Sequence, residues 1–178
     1  MGCVTSFLIL AHVLSPLSGV LYVIMKIRLA AILLLLSFNC CGSDMEKAKA
    51  DTQKLFDFVL PLAKKLLLEN NEFFPFGHIM KPNGEEVNLS ASNGEERAKS
   101  SELIDLLKNH YVESALAGEI IASALVYDAK IKGSDAIAVD LDHVAGYSVT
   151  VIVPYELIDS ELVTGEFFTM KGKSEIFN

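Results

Sequence analysis

Asp128, Asp140, Asp142 and His143 are the side chains whose types and spacing come closest to a reactive centre. The last three fall in an alternating stretch. A strand repeats every two residues, so Asp140 and Asp142 share one face and sit ~7 Å apart. His143 joins Ile137, Val139 and Leu141 on the other face. Two carboxylates at that spacing suit a hard divalent cation, and Asp128 on the preceding strand could join them by cross-strand pairing. Such a group would serve a small metal-dependent or hydrolytic enzyme. The competing reading makes Asp140 and Asp142 the solvated face of a sheet whose other face is core, with Lys130 as a nearby counter-charge. The competing reading is the more economical, because alternation alone explains it.

Other candidates are weaker. His78 could act as a base beside Tyr111 or His110, but no spacing holds those groups together. A histidine following aromatic residues in a short strand is more often partly buried and hydrogen-bonded. Phe73, Phe74 and Phe76 around Pro75 could line a groove for a peptide or apolar ligand. Their alternation instead favours Phe74 and Phe76 anchoring a hairpin onto a helix. The chain has no G-x-S-x-G elbow, G-x-G-x-x-G turn, full G-x-x-x-x-G-K-[ST] phosphate loop or H-E-x-x-H pair. No cofactor is implied. All three cysteines lie at or before position 41, so the region beyond Ser43 has no thiol nucleophile, disulfide or thiolate metal site.

Cys40 and Cys41 belong to a different chemistry. Met25–Ser43 reads as an export leader: Lys26 and Arg28 form a cationic start, Leu29–Phe38 is an apolar run, and small and polar residues follow. A run this short suits a cleaved leader, since a permanent span needs about 20 apolar residues. A cysteine at the end of the apolar run is where a bacterial lipoprotein is cut and acylated. Cys40 is the candidate, with Cys41 as the alternative, although Leu36 stands one position too early for the usual box. The expected location is therefore membrane-anchored at the cell envelope, with a soluble periplasmic or secreted form as the alternative. Met1–Ile24 is a further apolar prefix, either an over-extended start before a true Met25 or a genuine hydrophobic hairpin. Lys26 and Arg28 make one continuous span from Phe7 to Phe38 unfavourable, at roughly 2.5–3.5 kcal/mol per central charge.

Beyond Ser43, 13 basic residues face 23 acidic ones, a net charge of −10. That balance excludes a nucleic-acid groove or a polybasic membrane patch, which need concentrated Lys and Arg. Residues 44–178 suffice for one domain with its own core. Leu55, Phe56, Val59, Leu60, Ala63, Leu66 and Leu67 recur at helical spacing within Asp44–Asn70, where Pro61 should kink the helix and Asn should end it. Asp51-Thr52 could instead cap a shorter helix. Phe73–Met80 and Glu85–Ala91 read as a hairpin about Lys81-Pro82-Asn83-Gly84. Ser100–Ser114 reads as a second helix, capped by Ser100 or Ser101. Ile120–Ile131, Ala136–Val144, Tyr147–Tyr155 and Glu166–Lys171 then form a meander, because their short links permit only antiparallel pairing. The expected class is α+β, with two helices packed on one face of a mainly antiparallel twisted sheet.

The order helix, F-x-P-F-G, Asn-Gly turn, helix and alternating block resembles a family of uncharacterised small bacterial α+β proteins. Phe74, Pro75, Phe76, Gly77, Asn83, Gly84, Asp128, Ala136, Ile137, Asp142, His143, Gly146, Val149, Val151, Pro154 and Tyr155 carry the resemblance, over roughly Leu55 to Tyr155. The family has no assigned activity, so the resemblance implies no functional residue. The expected role is an exported, non-catalytic domain binding a protein partner or a small ligand through its sheet or the loop 88–97.

Overall fold

The computed structural model describes residues 40–95, 98–131, 133–159 and 161–177. The prefix, the leader's cationic start and apolar run, and the Cys40 and Cys41 side chains lie outside the described residues. Residues from Asp44 onward form one compact unit. Its elements are α1 (Cys40–Asn70), β1 (Phe76–Met80), β2 (Glu86–Ser90), α2 (Ser100–Leu116), β3 (Ala122–Ile131), β4 (Ser134–His143), β5 (Ser148–Ile158), β6 (Glu161–Thr164) and β7 (Phe168–Lys171). This is an α+β fold: two helices and one mainly antiparallel, seven-stranded sheet, in the order β2-β1-β3-β4-β5-β6, with β7 also on β5.

Local chemistry sets most of the boundaries. Asn71 ends α1 at a φ of 62°, its backbone N–H donating to the Leu67 carbonyl at 2.8 Å. Pro61 lies inside α1, which nevertheless stays one element. Its ring faces solvent, so the carbonyl deprived of an intrahelical donor is on the wet side. Gly84 closes the β1–β2 turn at a φ of 82°, its N–H bonded to the Lys81 carbonyl. Neither expected serine caps α2; Lys99 takes that position and makes no side-chain capping bond.

The layering differs from expectation. β1 lies between β2 and β3, antiparallel to both, so β2 and β3 are parallel and α2 is a crossover between them. Leu55, Val59, Ala63 and Leu67 of α1 pack on Val126, Ile137, Val139 and Val151 on one face. Leu107 and Tyr111 of α2 pack on Ile79 and Leu125, whose side chains point to the other. The helices therefore cover opposite faces, not one.

Candidate functional site

The four sequence candidates do not converge. β4 carries three of them, but Asp140 and Asp142 point to the α2 face and His143 to the α1 face, as strand alternation requires. Asp128 of β3 also points to the α1 face, yet pairs with Ile137, whereas His143 pairs with Ala122. Six residues along a strand separate those two levels by ~20 Å. Among the described residues, no group of three or more His, Cys, Asp or Glu could hold a metal ion.

Asp140 is not the solvated carboxylate its alternation suggested. Thr150 Oγ1 donates to its Oδ1 at 2.6 Å, and the Tyr127 hydroxyl donates to its Oδ2 at 3.2 Å. Lys130 instead pairs with its cross-strand neighbour Asp135, at 3.4 Å. Burial pushes the Asp142 carboxyl above its usual range, against the pull of a Ser148 hydrogen bond. The two aspartates border a cavity of only about 20 Å³, room for one water. The C-terminal segment closes that cavity. Glu175 pairs with Lys108 of α2 at 2.6 Å, and the Ser174 N–H donates to Ser148 Oγ at 3.1 Å.

His143 is 5% exposed and faces Asp51 of α1, itself 6% exposed. The Ala145 N–H donates to its Nδ1 at 3.0 Å, so the neutral ring carries its proton on Nε2. That nitrogen stands 3.6 Å from Asp51 Oδ2, and neither atom has a hydrogen-bond partner. Burial lowers the His143 pKa, with the neighbouring Asp51 charge opposing the shift. The sequence offered Asp51 only as the cap of an alternative, shorter helix; in the structure it lies within α1. Its position four residues before Leu55, on the core stripe of α1, was the signal of its burial.

His78 is a buried structural histidine. Its ring stacks on Phe58 with centroids 4.3 Å apart, Nδ1 meets Asn88 Oδ1 at 2.7 Å, and Nε2 meets Glu86 at 3.1 Å. The Tyr111 hydroxyl donates to the Ala124 carbonyl at 3.0 Å and meets the backbone of His78, not its ring.

The aromatic segment, by contrast, makes an open site. β1 begins only at Phe76, so the alternation does not reach back to Phe73. Phe73 and Phe76 are the buried pair, edge to face with centroids 5.8 Å apart, while Phe74 is 56% exposed. Phe74, Leu66, Ala91, Glu72 and Asp128 help line a groove of about 690 Å³, where α1 ends beside the exit of β2. Small-molecule sites run to roughly 300–1,000 Å³ and are mostly apolar with a few polar groups. Asp128 stands at its wall with Oδ1 accepting from the Tyr155 hydroxyl at 3.0 Å. The groove can hold an apolar body and present carboxylates to it, and its described lining residues include no Cys, His or Lys. No family model, curated protein or solved structure matches this chain.

Proposed function

We propose that residues 44–178 form a non-catalytic binding domain that receives a small ligand in the groove beside Phe74. The chain would be exported and held at the cell envelope by its leader or by a lipid on Cys40, with Cys41 as the alternative acceptor. A soluble periplasmic or secreted form is the second reading of location. The observation that carries the binding role is the groove itself: about 690 Å³, with an exposed Phe74 at its rim. Large apolar side chains beside a concave opening are where ligands gain most from leaving water. Ser90 and Ala91 bring the end of β2 and the start of the loop 88–97 into its lining.

The metal-dependent or hydrolytic alternative has less support. Its four residues split between the two faces: Asp128 and His143 lie ~20 Å apart on one, and the cavity beside Asp140 and Asp142 on the other has room for one water. Among the described residues no helix is long and apolar enough to cross a membrane.

A neutral dye that brightens on leaving water, such as Nile red, tests the binding role on the full chain. Saturable binding that Phe74→Ser and Leu66→Ser each weaken severalfold is the expected result. Binding unchanged in both variants would remove the groove from the account.

A further inference from the structure

The groove's charge narrows what it can take. Glu72 and Asp128 are the ionisable side chains among its described lining residues, and both are acids, with no Lys, Arg or His in that set. Two lysines near lining residues along the chain have acidic partners of their own, Lys130 with Asp135 at 3.4 Å and Lys99 with Glu102 at 3.6 Å. The remaining wall is mainly apolar and aromatic, with Phe74 exposed and the Phe73–Phe76 pair behind it, and Asn70, Ser90 and Ser100 are its uncharged polar members. An apolar anion would meet two carboxylates and no cation among the described lining residues. A neutral apolar molecule would gain from the wall alone. A cation on an apolar body gains from both, because aromatic rings attract ammonium groups and carboxylates pair with them.

We infer that the groove binds a small ligand with an ammonium group on an aromatic or alkyl body. The ammonium sits between Glu72 and Asp128, and the apolar body lies along Phe74 and Leu66. Asp128 is suited to this by its anchoring, since the Tyr155 hydroxyl donates to Oδ1 at 3.0 Å and fixes the carboxylate at the groove wall. Although Asp128 reaches solvent, surrounding protein already pushes its carboxyl above the usual range. A nearby positive charge reverses that penalty, so binding and ionisation favour each other. The inference rests on the groove being a binding site, and the experiment separates the two.

Three probes of nearly equal shape serve: 2-phenylethylammonium, 2-phenylethanol and 3-phenylpropionate. Each is titrated into the full chain at low ionic strength, and amide shifts of Glu72, Phe74, Ala91 and Asp128 are followed by NMR. The ammonium should bind about tenfold more tightly than the alcohol, with the carboxylate weakest. Glu72→Gln and Asp128→Asn should each narrow that ratio, and the double variant should bring it near one. Glu72 is exposed, so its variant keeps the fold whatever Asp128→Asn does. Equal binding of ammonium and alcohol overturns the cation preference and leaves the groove as an apolar site. Silence at all four amides with all three probes overturns the groove as well.

Discussion

At the residue scale, buried polar groups divide into satisfied and unsatisfied ones, and the difference predicts behaviour. Asp140 accepts two hydroxyl bonds in a half-buried setting. Replacing it with Asn retains one acceptor oxygen and turns an amide N–H toward a hydroxyl. Chemical denaturation of Asp140→Asn should show a loss of about 1–3 kcal/mol; a loss indistinguishable from zero would return Asp140 to the solvated face. His143 is the unsatisfied case. Its folded pKa is below the ordinary 6.5, because burial penalises the imidazolium more than Asp51 supports it. The unfolded chain therefore binds the proton more readily. The stability His143 contributes is present above about pH 6.5 and is lost as pH falls toward its folded value. The melting temperature should fall more steeply between pH 7 and pH 5 in the native sequence than in His143→Gln. Parallel slopes would mean that the histidine does not carry the acid sensitivity.

At the scale of elements, two glycines show where backbone meets neighbour without room for a side chain. A Cβ on Gly77 would lie 1.7 Å from the Tyr111 hydroxyl oxygen and 2.9 Å from its ring. The F-x-P-F-G segment ends in glycine because α2 sets a tyrosine directly on β1. Gly77→Ala should destabilise by about 1–3 kcal/mol through overpacking. Tyr111→Phe should cost about 1 kcal/mol for the lost bond to Ala124. The double variant should cost less than the two together, since removing the hydroxyl also removes the closest clash. Strict additivity in that cycle would contradict the packing of α2 on β1. Gly172 plays the same part at the other end of the sheet. A Cβ there would come within 2.6 Å of the Val149 nitrogen, so only glycine lets the C-terminal segment lie against β5. β6 has no such landmark. Its four residues alternate exposed and half-buried, and Asp159 at a φ of 50° turns the chain into it.

At the scale of the molecule, the sheet is an insulator between two chemistries. The α1 face holds the main apolar core together with the Asp51–His143 pair and, past the end of α1, the open groove. The α2 face holds Asp140 and Asp142 under Lys108 and the C-terminal segment. Processing is the property of the whole chain most open to direct measurement. Intact mass of material from an exporting host should show a mature start at Cys40 or within a few residues of it, with a diacylglyceryl addition if lipidated. Cys40→Ser should then block maturation while Cys41→Ser does not. A mature protein beginning at Met1 or Met25 would end the export reading.

What the sequence by itself determined was whatever depends on neighbours along the chain. Helical spacing from Leu55 to Leu67, the Pro82-Asn83-Gly84 turn and the alternation on β4 and β5 are local patterns, so both helices, the hairpin, the antiparallel pairing and the inward set Ile137, Val139, Leu141, Val151 and Val153 were all legible. Insertion of β1 between β2 and β3 leaves no local trace, yet it makes α2 a crossover, and a helix joining parallel strands must choose a face by handedness. That choice put cover over Asp140 and Asp142, which alternation alone had assigned to water. Tertiary structure also decided the partners of each carboxylate: Tyr155 for Asp128, Thr150 and Tyr127 for Asp140, and Asp51 itself beside His143. Strand alternation fixes which side a residue takes, but what waits on that side comes from chain 10 to 92 residues distant, where spacing along the sequence carries no information.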